Sequence, residues 1–449
     1  MSCLPTIEQL AHRRIGLLGF GRAGQAAARA LQAGNSSADV TVLVESGAAD
    51  TDLPVLHGTF GDELRGFDAL IRSPGVPVDH PALVAARAAG VAIINPASLW
   101  LAERAADMTV VGVTGSKGKS TTASLLAHLL SACGHKTLLA GNIGVPLLDH
   151  LNTDAGIAVI ELSSYQLADL EGRLDMGIMT SLFPEHLDWH GSERAYIDAK
   201  LRMVKLLEGR PLLVNAGDGR LAAATEGLFG RISANRAPLA RRAGANVLVK
   251  DDVRVDGREL QLIGRHNLDN AALALQAALQ LGCDVRRLAA ALREFRPLPH
   301  RLEPVAVING VRYINDSIST NPWSARAALE ALSPAPVILI AGGHARTTCW
   351  QPVLEWTENN ELAGLIALPD NGCGLADAYR RQRARQGDPR AHRIHQADQL
   401  DDAVELAAGM APEGGVVLLS PGAPSFGRYR DFEQRGEHFR RAVRALANP

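Results

Sequence analysis

The 449-residue chain has no excess of either charge: 46 lysine and arginine residues stand against 48 aspartate and glutamate, a net charge of −2. No global basic field draws it to a nucleic-acid backbone or an anionic membrane, so any anionic ligand has to be held locally. Cysteine is scarce. Cys3, Cys133, Cys283, Cys349 and Cys373 are scattered, odd in number and without a CxxC pair. That excludes a zinc or iron–sulfur framework and a redox dithiol, and reads as reduced thiols in a cytoplasmic protein. No apolar run approaches the roughly 18 residues of a membrane span. The basic residues near the N-terminus lead through a short apolar run straight into a glycine turn, which is the pattern of neither a signal peptide nor a membrane anchor.

What is present is an ordinary globular composition, 47% hydrophobic and 21% charged, in a chain long enough for about three domains at roughly 100–200 residues each. Short apolar runs alternate with Ala/Leu-rich stretches of helical period, the pattern of βα units around parallel sheets, so the expected class is α/β. Strands are predicted at Ile15–Phe20, Val40–Glu45, Ala69–Arg72, Val91–Ile94 and Thr109–Thr114, with a helix at Gln25–Ala33. Further runs are Thr137–Ala140, Ile157–Ile160 and Met179–Phe183, followed by a helix at Ala195–Leu207. A composition shift near Asp107 and the proline-rich stretch Arg296–Arg301, with strands expected after it at Val305–Ile308 and Val311–Ile314, set domains at 1–106, 107–297 and 298–449. The arginine-rich run Tyr379–Arg390 is most simply a solvated helix face.

The strongest motif is GVTGSKGKSTT, from Gly112 to Thr122. A strand, a glycine loop and Gly-Lys-Ser opening a helix make a phosphate loop: backbone N–H groups and the helix N-terminus face phosphate oxygens, Lys119 reaches the β/γ-phosphates and Ser120 can ligate Mg²⁺. The strict GxxxxGK[ST] spacing fails by one residue, because Val113 stands where the first glycine belongs. A second loop, Gly19-Phe20-Gly21-Arg22-Ala23-Gly24, also joins a strand to a helix, with Glu45 about 20 residues on. That fits a dinucleotide, a different nucleotide or a purely structural turn. Ser73-Pro74-Gly75 brings another loop to the same sheet edge. Asn142, Glu161, His186 and Lys200 each lie at or after the end of an apolar run or in the next helix, and a phosphate loop needs such carboxylate, imidazole or hydroxyl partners for Mg²⁺. Singly, each is as well explained as a helix-start acid, a satisfied polar residue or a solvated charge.

Taken in order, GVTGSKGKSTT, GNIGVP, ELSSYQL, EHLDWHGS, YIDAK, GRHNLDNAALA, LPHRLE, INDSIST, AGGHAR and LLSPGAPSF with FEQRG closely resemble the Mur ligase family over nearly the whole chain. Within it the likeness is greatest to the members that add glutamate to UDP-N-acetylmuramoyl-L-alanine in peptidoglycan synthesis. FEQRG and the two-glycine-loop first domain favour these over the later ligases and the folylpolyglutamate synthases. The resemblance implies a Rossmann-like N-terminal domain for the UDP-sugar, a central P-loop ATPase domain with a parallel sheet, and a C-terminal Rossmann-like domain for the amino acid. It implies ATP and two Mg²⁺ ions as cofactors.

By the same resemblance, Gly115, Ser116, Lys117, Gly118, Lys119, Ser120 and Thr121 bind ATP, with Asn270, Arg301 and Asp316 at the adenosine. Gly19, Gly21, Glu45, Ser73, Gly75 and Asn142 meet the UDP-substrate. Ser120, Glu161, His186 and a carbamylated Lys200 hold metal, with Lys119, Lys200 and His186 catalytic. Ser319, Thr320, Arg346, Ser425 and Phe432 take the amino acid. The chain departs from the family there: Ile318-Ser319-Thr320-Asn321 replaces Lys-Ala-Thr-Asn, so a cation is missing, Arg346 stands where lysine is common, and Pro424-Ser425-Phe426 replaces small residues. These changes resemble a branch that adds L-glutamate and relies on a separate epimerase; the usual branch adds D-glutamate. A cytoplasmic monomer without nucleic-acid or membrane partners is expected. A P-loop switch and a nicotinamide oxidoreductase are the alternatives, and both would lack glutamate-dependent phosphate release.

Overall fold

The first run of apolar residues to leave the N-terminus, Ile15 to Leu18, is buried on both faces, as strands in the middle of parallel sheets are. In a computed structural model, residues 5–34, 37–45, 49–228, 240–249, 253–344, 349–385 and 393–447 are described. β1 (Arg14–Leu18), β2 (Asp39–Val44), β3 (Val55–His57), β4 (Ala69–Arg72) and β5 (Ala92–Ile94) form an all-parallel sheet in the order β3-β2-β1-β4-β5. The chain winds from β1 outward to β3, then returns past β1 to β4. The carboxyl ends of β1 and β4 thus flank the switch point where such sheets hold ligands.

β6 (Thr109–Thr114), β7 (Thr137–Gly141), β8 (Ile157–Glu161), β9 (Met176–Met179) and β10 (Leu212–Val214) form a second parallel sheet in the order β10-β9-β6-β8-β7. Val113 is in register with Glu161, Thr114 with Met179 and Gly141 with Glu161, so the loops after β6, β7, β8 and β9 leave one edge together. A small antiparallel sheet follows, β11 (Ala240–Ala243), β12 (Asn246–Val249) and β13 (Val253–Asp256). No strand is expected there, because the runs Val247–Val249 and Val253–Val255 are only three residues long and stand among charged residues.

The last sheet is built from β14 (Glu303–Ile308), β15 (Val311–Asn315), β16 (Val337–Gly343), β17 (Leu362–Asp370), β18 (Ile394–Gln396) and β19 (Val416–Leu419), in the order β14-β15-β19-β16-β17-β18. Only the β14–β15 pair is antiparallel, closed by Asn309-Gly310 with φ of +50° and +76°, the left-handed pair a tight hairpin requires. Along β16, Val337 and Leu339 pack against the helices Pro322–Leu332, Gln351–Asn359 and Asn371–Arg385. Ile338 and Ile340 face Leu400–Met410 and Phe432–Ala447 on the other side.

The chain divides into two compact units, Met1–Glu259 with Leu268–Phe295, and Leu260–Asn267 with Arg296–Pro449. The first unit carries both five-stranded sheets on one continuous core, which runs from Leu17 of β1 through the fully buried Trp100 to Val110 of β6 and Ile160 of β8. Arg29 also clasps Asp149 through two hydrogen bonds of 2.9 Å.

Three expectations are corrected. The run Met179–Phe183 is not a strand beyond Met179, because the Thr180 and Ser181 hydroxyls turn to the phosphate loop, bonding Lys117 O and, from Ser181 Oγ, accepting Lys117 N–H at 2.8 Å. The helix Ala195–Leu207 starts earlier, where Ser192 caps it, and is two pieces, Glu193–Leu201 and Met203–Leu207. The arginine-rich run does have a solvated face, with Arg381 and Arg385 exposed, but Tyr379 and Arg383 are buried, with the Arg383 guanidinium 5.6 Å from the Tyr379 ring and 3.2 Å from Glu361; residues 386–390 lie outside the described ones. Among the described residues no helix is long and apolar enough to cross a membrane.

Candidate active site

Gly112 and Val113 are interior to β6, and a Cβ on Gly112 would sit 2.8 Å from Leu174 Cδ1, so Gly112 serves packing and not phosphate. The loop is opened instead by Gly115 and Gly118, with φ of +149° and +89°, which L side chains rarely adopt. A Cβ would lie 2.0 Å from Thr180 Oγ1 at Gly115 and 2.5 Å from Asn270 Oδ1 at Gly118, so Asn270 abuts the loop. The helix Lys119–Ala132, with Ser120 and Thr121 in its first turn, then starts without a side-chain cap. Ser116 Oγ is fixed at 2.7 Å from both Phe183 O and the Tyr196 hydroxyl.

Lysines crowd this loop. Lys119 Nζ donates to Gly115 O and Ser116 O at 2.9 Å each, and Lys117 Nζ lies 2.9 Å from Glu185 Oε1. Lys200, 1% exposed, donates from Nζ to Gly115 O at 2.8 Å and stands 5.0 Å from the Tyr196 ring centre. Burial pushes its pKa well below the usual lysine value, Lys119 adds to the fall, and Glu185 and Glu161 oppose it. Burial would raise the Glu185 carboxyl, but Lys117 and Lys119 overcome it and hold the pKa below the usual value. Burial lowers His186, which stands 5.0 Å from the Tyr165 ring, so its imidazole is neutral at pH 7.

Glu161 is 1% exposed; Oε1 accepts from Asn142 Nδ2 at 2.7 Å, and Oε2 is buried without a hydrogen-bond partner. An orphaned carboxylate oxygen beside a phosphate loop is the donor a cation would complete. Among the described residues no three His, Cys, Asp or Glu side chains form a ready metal cluster. The set of Ser120, Glu161, His186 and Lys200 differs in kind, combining hydroxyl, carboxylate, imidazole and a modifiable amine.

At the first sheet, Gly19 has φ of +78°, and a Cβ on Gly24 would meet Gly19 O at 2.3 Å, so this turn is tight. Gly21 is the uncapped N-terminus of the helix Arg22–Ala33. Ser73 Oγ donates to Gly19 O at 2.9 Å, which brings the two loops together, and Gly75 O accepts from Trp189 Nε1 at 3.1 Å. Glu45 accepts from Phe60 N at 3.2 Å and lies 3.7 Å from His80. A cavity of about 230 Å³ opens beside these loops, lined among others by Arg22, Pro74, Asn95, Asn142 and Gln166. Among the described residues, Arg22 is the only charged side chain in its lining. Asn142 belongs both to this cavity and, through Glu161, to the phosphate-loop edge.

In the second unit, Asp316 is buried and accepts from Ser420 Oγ at 2.8 Å and Leu302 N at 3.2 Å; Arg301 precedes β14. Ser319 is 1% exposed with its hydroxyl unpartnered, whereas Thr320 is exposed. Ser425 is buried, and Phe432 O accepts from Ser317 Oγ at 2.8 Å. Arg346 lies outside the described residues. Sequence reasoning passed over Arg435 and Arg72, both buried arginines. Arg435 donates to Ser317 O, Ser317 Oγ and Ala423 O, and burial lowers its pKa to about 10. Its place in FEQRG was a signal; Arg72 offered none.

Residues 113–278 match the Mur ligase middle domain, and residues 300–422 the Mur ligase, glutamate ligase domain. The chain is 38% identical to the UDP-N-acetylmuramoyl-L-alanine--L-glutamate ligase of Xanthomonas oryzae pv. oryzae (strain MAFF 311018), covering 96% of this chain and 95% of that one. It is also 38% identical to the protein of the same name from Micromonospora sp. (strain ATCC 39149 / NRRL 15099 / SCC 1413), covering 98% of each. Among solved structures, UDP-N-acetylmuramate-alanine ligase MurC of Thermotoga maritima aligns with a TM-score of 0.60 at 18% identity, over 97% of this chain and 100% of that one, a likeness of fold alone. With both domains matched and relatives aligned from end to end, the chain belongs to the Mur ligase family, whose members are ATP-dependent ligases.

Proposed function

We propose that the protein joins glutamate, with L-glutamate favoured, to the alanine carboxylate of UDP-N-acetylmuramoyl-L-alanine at the expense of ATP. The observation that carries this reading is the shared name of relatives aligned over nearly the full chain. The crowding of Lys117, Lys119 and Lys200 around one glycine loop supports it, since a carboxylate and a triphosphate must be brought together there. The alanine carboxylate attacks the γ-phosphorus, ADP leaves, and an acyl phosphate forms. The neutral amine of glutamate then attacks the acyl carbon, loses a proton and expels phosphate through a tetrahedral intermediate.

Gly115 to Thr121 hold the phosphates in this reading, with Lys119 as the point charge on the γ-phosphate. Gly19, Gly21, Ser73, Gly75 and Asn142 contact the UDP-sugar. Ser120, Glu161, His186 and a carbamylated Lys200 are the residues that would hold Mg²⁺, which when bound supplies charge neutralisation at the phosphates. The orphaned Glu161 Oε2 and the neutral His186 imidazole fit that role. Lys200 fits carbamylation, because a depressed pKa leaves the free amine that adds to CO₂. Ser319, Thr320, Ser425 and Phe432 take the glutamate.

Inverting Cα while the amine stays aimed at the acyl phosphate moves a carboxylate, so its donors must move as well. Isoleucine at position 318 and the unpartnered Ser319 hydroxyl are a donor arrangement of that altered kind. Side-by-side phosphate release with the two enantiomers tests it. L-glutamate is expected to be consumed about a hundredfold faster; a preference for D-glutamate overturns the stereochemistry, and no glutamate-dependent release overturns the ligase reading.

A further inference from the structure

β4 ends at Arg72, whose side chain is fully buried. Its Nε and Nη2 donate to the two oxygens of Asp169 at 2.8 and 2.7 Å, the bidentate fork that fixes direction as well as charge. Nη2 also donates to Tyr165 O at 3.1 Å. Nη1 meets Ser73 O at 3.3 Å, Pro74 O at 3.2 Å and Val76 O. One guanidinium therefore gathers three carbonyls of the loop after β4 and ties them to the segment that follows Glu161.

Asp169 is shared in turn. Asn95 Nδ2 donates to its Oδ1 at 2.7 Å and to Gln166 O at 2.8 Å. Pro74, Asn95 and Gln166 all line the cavity of about 230 Å³, whereas Arg72 does not reach it. The far side of the loop is held by Trp189 on Gly75 O.

Stability alone does not call for this arrangement. A buried ion pair is often matched or bettered by apolar side chains of similar volume, while losing one partner is costly. What an apolar pair cannot do is aim three carbonyls at one point. We propose that Arg72, through Asp169, is a positioning residue that sets the cavity wall for the sugar-nucleotide substrate, acting on its binding and not on phosphoryl transfer. This rests on the proposed ligase reading.

The test is the double variant Arg72→Met/Asp169→Leu, which removes the fork without stranding a charge, beside the single variant Arg72→Lys, which keeps the charge but not the fork. Melting temperature, the Kd for UDP-N-acetylmuramoyl-L-alanine by calorimetry without ATP, and KM for each substrate are measured. The expected result is a double variant that still unfolds cooperatively, at a lower melting temperature because four carbonyls lose their donor, with a Kd for the sugar nucleotide about ten- to a hundredfold weaker. The KM values for ATP and glutamate should stay within about twofold, and Arg72→Lys should shift in the same direction. A well-folded double variant with wild-type affinity overturns the proposal, as does a parallel loss for all three substrates or a wild-type protein that does not bind the sugar nucleotide. Binding without turnover in the wild type refutes the ligase reading instead, and the affinity difference still decides the role of Arg72.

Discussion

The first unit contains the same local device twice. Both Gly19–Gly24 and Gly115–Gly118 follow a strand in a five-stranded parallel sheet, and each runs into a helix whose N-terminus has no side-chain cap. Their surroundings differ. Around the second loop stand Lys117, Lys119, Lys200, Glu161, Glu185 and His186, with shifted pKa values at Glu185, His186 and Lys200. Beside the first, the cavity has Arg22 as its only charged lining residue among the described ones, in the company of amides and apolar side chains. A glycine turn on a helix N-terminus provides a place for phosphate oxygens; whether bonds are also made and broken there depends on the titratable groups brought in from other strands.

That contrast is open to direct attack. The largest effect should come from Lys119→Ala, which removes the charge proposed to meet the γ-phosphate and should lower kcat by about a thousandfold, read by phosphate release. Arg22→Ala, at the other loop, should act on the sugar-nucleotide KM. A folded Lys119→Ala protein with near-normal turnover would erase the distinction between the loops.

Lys200→Met should separate activity from stability. In protein kept free of CO₂, where Lys200 is the free amine, its folded pKa lies well below the unfolded value, so the unfolded chain holds a proton that the folded chain lacks throughout the interval between them. Wild-type stability therefore rises with pH across that interval and is lowest on its acid side. Lys200→Met should remove this slope and raise the melting temperature at pH 7 by a few degrees, roughly, while turnover is lost. Calorimetric scans from about pH 6 to pH 9 check it; a variant that melts lower than wild type at every pH contradicts it.

The smallest expected difference is between two glycines. Gly118→Ala has to carry a side chain at φ of +89° and 2.5 Å from Asn270 Oδ1, and should cost about 1–3 kcal/mol in denaturant unfolding. Gly21→Ala, with open space around it and φ of −72°, should stay within about 0.5 kcal/mol. Equal costs would mean that the second loop is no more tightly built than the first.

Much of the molecule was readable in one dimension. The strands Ala69–Arg72 and Thr109–Thr114 lie where their apolar runs put them, Glu161 and Asn142 stand at strand ends of one sheet edge, and Lys119 opens the helix after the loop that leaves that edge. Apolar periodicity is a local property, so it survives in the sequence. The three-stranded sheet at Ala240–Asp256 is not readable in the sequence, since each strand is only four residues long and, although Asn246–Val249 and Val253–Asp256 carry apolar residues, the strands owe their existence to pairing with one another. The loop after Met179 was misread for the opposite reason: Leu182 and Phe183 look like strand, but the hydroxyls of Thr180 and Ser181 are claimed by Lys117.

Alone, the sequence determined the α/β class, the phosphate loop and the kinds of side chain available to it, because these depend on neighbours a few residues apart. Only the tertiary structure decided that the first two sheets share one core through Trp100, that Lys200 is buried against Gly115 O, and that Arg72 binds Asp169, 97 positions along the chain. Burial and charge pairing depend on distance in space, and in a parallel sheet the strands that meet at one edge are drawn from far apart in the chain.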